Sequence, residues 1–430
     1  MRYLIPLILL VLAMPAHARL SREEQAMAAA VDREADRNIA LLERLVNRNS
    51  GSLNIEGVTA VGAMIRAELE PLGFTVRWAD MRETGRAGHI VATHAGPGRN
   101  ILLIGHLDTV FEPSSPFQAF ARAGNRATGP GVGDDKGGLA VIVGAMRAMH
   151  AAGTLRTANI TIVLTGDEER PGAPIEIARR DLIEAGRVAD YALEYENLVR
   201  EDGADFGTVA RRSATSWTLT AHGRTGHSAG VCGEALGCGA IYEMARILDT
   251  FRRELAEPNL TYNVGVIGGG TPAAIDEAGF AVAASGKTNI VAESAVARGD
   301  IRTLSAEQEA RVRARMQAIV AQHLPRTQAE LVFARDGYPP MAPTPGNRAI
   351  LARLNEVNRD LALPEMAEYD PARRGAADSS FVAGDVDTLA GLGAGGGGAH
   401  AEGEWIDLST LALQAKRSAI LISRLTNQAR

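Results

Sequence analysis

His106 and Asp108 form the first pair in this chain whose residue types and spacing could do chemistry. They follow the apolar run 101–104. At the end of a buried strand, residues two positions apart point to the same side. An imidazole with a carboxylate behind it suits a metal ligand and the group that orients it. A hydrogen-bonded core histidine explains the pair as well, so it predicts a metal site only if the chain supplies more ligands.

A glycine-rich segment, 129–138, contains the next acidic residues, Asp134 and Asp135. A phosphate-binding loop would have Gly-Lys-Ser or Gly-Lys-Thr here, and carboxylates would repel a phosphate. One aspartate could instead bridge two cations with its two oxygens, or it could cap the helix that follows. The segment therefore contains a candidate metal ligand, but a helix cap explains it equally well.

Further candidate ligands follow other apolar segments. Three consecutive acids, 167–169, come directly after the predicted strand 159–165. Their charges would repel one another unless a cation or a catalytic role compensates. One glutamate could bind a metal while its neighbour stays free as a general base. Glu196 follows the predicted strand 190–195, and His400 follows a run of glycines.

Strands and helices alternate around these residues, which predicts an α/β fold with a mixed, mostly parallel sheet and flanking helices. In such sheets, active sites lie at the carboxyl ends of strands. Between about 208 and 337 the pattern changes to α+β, so a smaller domain interrupts the first. The patterns predict helices at 22–48, 56–72, 137–152, 174–186, 236–255, 306–323 and 408–426, and strands at 74–79, 88–94, 101–105, 159–165, 190–195, 213–221, 279–284, 294–302 and 329–335.

The composition is that of a folded enzyme, with 430 residues, of which 46% are hydrophobic and 22% charged. The net charge of −6 argues against nucleic acid or an anionic membrane as a partner. The apolar run 4–13, followed by Ala16-x-Ala18, predicts a cleavable signal peptide, 1–18, and hence a secreted or periplasmic protein. An uncleaved membrane anchor is the alternative. Cys232 and Cys238 could form a short disulfide in an oxidising compartment.

Taken together, the motifs resemble those of the co-catalytic dizinc exopeptidase and deacylase family. That family includes glutamate carboxypeptidase, acetylornithine deacetylase and succinyl-diaminopimelate desuccinylase. The resemblance covers about residues 35–425, keeps the family's motif order and is closest to the glutamate carboxypeptidase branch. It rests on Gly105–Val110, Gly131–Gly138, Thr165–Glu169, Tyr195-Glu196 and Gly398–His400.

The resemblance implies two zinc ions per chain, with cobalt or manganese as substitutes. Asp134 would bridge both ions. His106 and Glu196 would complete one site, and Glu169 and His400 the other. Each ion would keep an open position for a shared water, as catalytic zinc requires.

The resemblance also implies roles in catalysis. Glu168 would deprotonate the water that bridges the metals and later protonate the leaving amine. Asp108 would orient His106, and His227 would reach from a partner subunit to stabilise the oxyanion. The family's cis peptide bond would lie after Asp134, before Asp135.

Three further residues are implied to bind substrate: Asn289, Arg302 and Gly375. Arg302 would pair with the terminal carboxylate of the substrate, although an ordinary salt bridge on its strand explains it too. Gly375 would contribute a backbone turn.

The expectation is therefore a zinc-dependent hydrolase, of the exopeptidase or carboxypeptidase type, that cleaves an amide or peptide bond next to a free carboxylate. Its substrate would be a small peptide or an N-acyl amino acid, and the chain would form a homodimer without membrane attachment after signal cleavage. The catalytic domain would comprise 19–207 and 338–430. The inserted domain, 208–337, would mediate dimerisation and close as a lid. Residues 197–202 depart from the glutamate carboxypeptidase pattern, so no preference for a C-terminal glutamate is predicted.

Two other functions compete with this reading. The segment 226–230 has the Gly-x-Ser-x-Gly pattern of serine hydrolases, and Ser228, Asp378 and His400 follow in the required order. However, it lies in the inserted domain and leaves His106 and the acidic residues unexplained. The other alternative is a non-catalytic periplasmic binding protein, against which the retention of Glu168 argues.

Overall fold

Residues 20–276 and 279–428 are described by the structure, a computed structural model. The predicted signal peptide lies outside these residues. The helices are α1 Arg22–Arg33, α2 Ala35–Val46, α3 Ile55–Leu69, α4 Lys136–Ala152, α5 Ile175–Ala178, α6 Arg180–Val188, α7 Ala240–Glu254, α8 Ala306–Val320, α9 Pro345–Asp360 and α10 Ser409–Thr426.

The strands follow the same chain order. They are β1 Thr75–Asp80, β2 Gly88–His94, β3 Asn100–His106, β4 Ala121–Ala123, β5 Arg126–Thr128, β6 Asn159–Thr165, β7 Tyr191–Glu194, β8 Val199–Glu201, β9 Ala204–Gly207, β10 Thr215–His222, β11 Thr261–Gly270, β12 Ala273–Ile275, β13 Val282–Ala284, β14 Ser294–Arg302, β15 Gln328–Phe333, β16 Ala367–Glu368, β17 Thr388–Leu389, β18 Gly396–Gly397 and β19 Trp405–Asp407. Among the described residues, no helix is long and apolar enough to span a bilayer.

The central sheet has the strand order β1-β2-β6-β3-β7-β17. Strands β6, β3, β7 and β17 run parallel, and β1 and β2 add an antiparallel edge. Along β3, Ile101 and Leu103 enter the main core, whereas Leu102 and Ile104 enter a second core on the opposite face. A continuous apolar run is therefore buried on both sides, as a parallel strand requires. The predicted α/β architecture is confirmed.

The smaller sheet has the order β11-β14-β10-β15 and is entirely antiparallel. Its inner face packs on α7 and α8 around a core that includes Trp217, Phe251 and Met316. Burial along β10 alternates, as the sequence pattern predicts. These elements lie between 215 and 333, within the predicted insertion 208–337. The dimerisation and lid roles of this domain stay predictions.

Two of the differences from the predicted elements concern the first predicted helix and strand β11. The predicted helix 22–48 is two helices separated at Glu34. Strand β11 was not predicted, because four of its ten residues are glycine, which strands disfavour. Pairing with β14 along its whole length overrides that weak propensity.

Candidate active site

Asp134 lies between two histidines that are far apart in the sequence. Its Oδ1 is 3.0 Å from Nε2 of His106, and its Oδ2 is 3.2 Å from Nε2 of His400. The peptide bond from Asp134 to Asp135 is cis, as the family resemblance predicts. The two oxygens of one carboxylate thus face two different histidines.

The other predicted ligands converge on the same place. Glu169 Oε2 is 3.0 Å from His400 Nε2, while Glu169 Oε1 is buried without a hydrogen-bond partner. Ligand atoms of His106, Asp134 and Glu169 lie within 4.8 Å of one another, and so do those of His106, Glu168 and Glu196. We call these six residues the acidic–histidine cluster: His106, Asp134, Glu168, Glu169, Glu196 and His400.

The central sheet explains why the cluster forms. His106 is the last residue of β3, Glu168 and Glu169 follow the end of β6, and Glu196 follows the end of β7. Because β6, β3 and β7 are parallel neighbours, their carboxyl ends meet at one edge. Strand pairing therefore brings residues from three distant segments to the same edge of the sheet.

Asp108 is fully buried behind His106. Its Oδ1 is 3.3 Å from His106 Nδ1, on the side of the ring opposite Asp134. The same carboxylate accepts the backbone N–H groups of Glu168 and Glu169, at 3.0 and 3.1 Å, and the hydroxyl of Ser52, at 2.6 Å. The structure thus places Asp108 where it orients both an imidazole and the loop that carries two acids.

Two residues that the sequence analysis missed support the candidate ligands. Glu404 is buried and accepts backbone N–H groups from Gly131, Gly133 and Asp134, at 2.8–3.0 Å, so it holds the turn that presents Asp134. Arg211 is buried and donates to Glu194 and, at 2.7 Å, to Glu196. No local motif marks either residue, since the partners of Glu404 are at least 270 residues away and those of Arg211 are 15 and 17 residues away.

The contacts of Arg211 also locate Gly375. The Arg211 Nη1 donates to the Gly375 carbonyl oxygen at 3.2 Å. There is open space where a side chain on Gly375 would project. The structure therefore brings this predicted substrate residue next to the group that holds Glu196.

The cluster combines four acids with two histidines, and His106 is buried, the acids are partly buried and His400 is exposed. Burial raises the pKa of Glu168 well above its usual range and that of Glu196 to about 8. Burial also works to raise the pKa of Asp134, but hydrogen bonds from His106 and His400 hold it well below its usual value. Hydrogen bonds to Asp134 and Glu169 raise the pKa of His400 to about 10. Bound cations would let these carboxylates ionise together, which is what a metal site requires.

Three predicted residues lie apart from the cluster, in the smaller domain. His227 is exposed, and its Nδ1 accepts the backbone N–H of Ala229. The Asn289 carbonyl accepts the N–H of Ser228. Arg302 donates from Nε to Asp300 at 2.9 Å. This is the strand salt bridge that the sequence analysis gave as the alternative to substrate binding. Within the described chain, none of the three has a hydrogen bond or ion pair to the cluster.

The serine-hydrolase arrangement is not assembled. Ser228 begins a short 3₁₀ turn in the smaller domain, not the helix that should follow a central strand. Asp378 hydrogen-bonds through its two oxygens to Thr165 and Arg179, whereas His400 contacts Asp134 and Glu169. The three residues of that alternative therefore share no hydrogen bond.

Comparison with known proteins agrees with the family resemblance of the sequence motifs. The model of peptidase family M20/M25/M40 matches residues 102–424, which include the entire cluster. Carboxypeptidase G2 from Pseudomonas sp. (strain RS-16) is 28% identical over 398 residues, covering 89% of this chain and 88% of that protein.

Solved structures share the fold at lower identity. A tripeptidase from Staphylococcus aureus has a TM-score of 0.72 at 18% identity, covering 92% of this chain and 99% of that one. The YXEP protein of Bacillus subtilis, a dinuclear metal-binding peptidase, has a TM-score of 0.63 at 16% identity, covering 93% and 100%. Both likenesses extend over the central sheet and the inserted domain, because they cover nearly all of this chain.

Proposed function

Because this chain belongs to peptidase family M20/M25/M40, we propose that it is a zinc-dependent hydrolase that cleaves an amide or peptide bond next to a free carboxylate. The observation that carries the proposal is the double contact of Asp134, whose two oxygens each lie against a different histidine. A carboxylate in that position can bridge two cations.

The donor atoms of the cluster suit zinc, which binds imidazole nitrogen and carboxylate oxygen. Asp134 would hold both ions, His106 and Glu196 would complete one site, and Glu169 and His400 the other. The buried, unpartnered Oε1 of Glu169 supports this assignment, because such an oxygen is costly unless a ligand binds it. When bound, the ions would supply Lewis acidity and lower the pKa of the attacking water.

Glu168 would move the proton in this reaction. Its carboxylate would accept a proton from the attacking water and later donate it to the leaving nitrogen. The position of Glu168 supports this role, because its carboxylate lies within 4.8 Å of ligand atoms of His106 and Glu196. Asp108 would keep His106 and the Glu168 loop in place throughout.

The inserted domain would complete the site by binding substrate. The contact of Arg302 with Asp300 uses Nε, so a substrate carboxylate could bind at the terminal nitrogens. Asn289 would contact the substrate from the same domain. Gly375 would offer backbone groups beside Glu196, and the substrate would be a small peptide or an N-acyl amino acid.

A homodimer would bring His227 into the site of the partner subunit. The smaller domain carries an apolar surface of Ile241, Tyr242 and Ile267, which are 48%, 58% and 54% exposed. Contiguous exposed apolar residues of this kind are typical of protein interfaces. His227 is exposed on the same domain and would reach across to stabilise the oxyanion.

Metal analysis tests the proposed function directly. Purified protein reconstituted with zinc is expected to retain about two ions per chain, with cobalt or manganese able to replace them. A chelator is expected to abolish hydrolysis of N-acyl amino acids and dipeptides, and added zinc to restore it. A serine-directed phosphonate is the matched control, since it should leave turnover unchanged. Full activity of the metal-free protein would contradict the proposal.

Subunit mixing tests the role of His227. The variants His227→Ala and Glu168→Gln should each be inactive alone. After subunit exchange, about a quarter of wild-type activity is expected, because half of the dimers are mixed and each mixed dimer has one complete site. Exchange is verified by native mass spectrometry. Mixed dimers that remain inactive would show that His227 acts within its own subunit, and full activity of His227→Ala alone would show that it has no role in catalysis.

A further inference from the structure

Two linker segments, 211–214 and 338–341, join the smaller domain to the central-sheet domain. They pair with each other through backbone hydrogen bonds. Arg211 and Met341 exchange two backbone hydrogen bonds of 2.9 and 3.0 Å, and Ala214 and Tyr338 exchange two more of 3.0 and 2.9 Å. Each linker strand also sends one side chain to the acidic–histidine cluster. Arg211 donates to Glu196, and Tyr338 reaches the loop that carries Glu168.

The peptide groups of Glu168 are held on both sides. Its N–H donates to Asp108 Oδ1 at 3.0 Å, and its carbonyl oxygen accepts from the hydroxyl of Tyr338 at 2.8 Å. Glu168 lies in neither a helix nor a strand. Its backbone therefore depends on partners outside its own loop for hydrogen bonding.

Tyr338 is itself oriented by a buried network. Arg179, which has no exposed surface, donates to the Tyr338 hydroxyl oxygen at 3.0 Å. Arg179 is fixed in turn by Asp167 at 2.6 Å and Asp378 at 2.7 Å. Because the phenol oxygen accepts from Arg179, its single hydrogen is directed to Glu168. The Tyr338 ring packs against Phe381 at 4.9 Å between centroids, so its position does not depend on the hydroxyl alone.

We propose that Tyr338 is a positioning residue: its hydroxyl fixes the backbone of Glu168 and so sets the direction of the Glu168 carboxylate. Since Tyr338 lies on the linker that returns from the smaller domain, the placement of that domain and the geometry of Glu168 are coupled through one hydrogen bond. This inference rests on the proposed function, in which Glu168 moves the proton.

The variant Tyr338→Phe tests the proposal in the zinc-loaded full chain. It removes the hydroxyl and keeps the ring against Phe381, so folding should be retained. We expect kcat to fall about tenfold, because one hydrogen bond is lost and the Glu168 carboxylate is no longer held in its direction. KM should change less than about twofold, because substrate and metal contacts are untouched. Zinc content should match wild type, and Tm should fall by no more than about 4 °C, because Arg179 and the Glu168 carbonyl each lose one hydrogen-bond partner.

The matched control is Tyr191→Phe, which removes a hydroxyl that hydrogen-bonds to Gln428 at 2.7 Å, outside the cluster. Its kcat should equal that of wild type. If Tyr338→Phe lowers kcat no more than this control, or lowers it only by losing zinc, the positioning role is wrong.

A double-mutant cycle separates positioning from general stabilisation. If Tyr338 acts through Glu168, then Tyr338→Phe should cause no further loss in a Glu168→Gln background, measured at high enzyme concentration. A second, fully additive tenfold loss would overturn the inference. Wild-type turnover by Glu168→Gln would instead contradict the proposed function itself, so the two failures are distinguishable.

Discussion

Glu168→Gln is expected to reduce kcat about a thousandfold while both metal ions remain bound. The amide has nearly the same size as the carboxylate but cannot accept a proton, and general acid–base groups contribute about 10²–10⁴-fold to rates. The backbone hydrogen bonds of Glu168 to Asp108 and Tyr338 do not involve its side chain, so the loop should stay in place. Steady-state kinetics with parallel metal analysis measure both quantities.

Glu176→Gln is the matched control for this change. Glu176 lies on α5, a few residues after the same loop, and is exposed. Its substitution should leave kcat, KM and zinc content unchanged. A Glu168→Gln protein that turns over at more than about a tenth of the wild-type rate would remove Glu168 from its proposed role.

Asp134→Asn is expected to abolish binding of both ions and to reduce activity below about 1% of wild type. Asp134 is the only cluster residue in the described chain that contacts both histidines, so losing its charge weakens both sites together. By contrast, Glu196→Gln and Glu169→Gln should each remove one ion, because each belongs to a single site. After dialysis against trace zinc, metal analysis should therefore find about zero zinc ions per chain for Asp134→Asn and about one for each of the other two variants.

Comparing the metal content of these three variants tests whether Asp134 bridges two separable metal sites. Retention of one ion by Asp134→Asn would mean that it does not bridge the two sites. Loss of both ions from Glu196→Gln would mean that the sites are not separable as proposed. Circular dichroism and Tm of each zinc-free variant, compared with zinc-free wild type, check that the fold is intact.

The sequence could name candidate ligands because several of them directly follow central strands, and their binding of metal stays a prediction. Apolar runs such as 101–104 predict buried strands, and a polar residue directly after such a run must lie at the sheet edge. His106 and Glu196 could therefore be predicted without any knowledge of pairing. The family resemblance added the order of the motifs, and the M20/M25/M40 match confirmed that resemblance.

The run of three acids shows where sequence reasoning ends. Asp167, Glu168 and Glu169 are consecutive, and no local pattern assigns them different partners. In the structure Asp167 pairs with Arg179, Glu169 with His400, and Glu168 is held by its backbone. The partners come from separate segments, so only the folded chain distinguishes the three carboxylates.

The sequence by itself determined which residue types follow the central strands and the glycine-rich segments, and thus the candidate ligands and the family. Only the tertiary structure decided how their charges are compensated and their backbones held. Glu404 lies 270 residues from Asp134 along the chain, and Tyr338 lies 170 residues from Glu168. Buried charges and loop peptides must find partners wherever the fold places them, because water is excluded there. For that reason Glu404, Arg211 and Tyr338 left no motif, although the structure places all three against the predicted site.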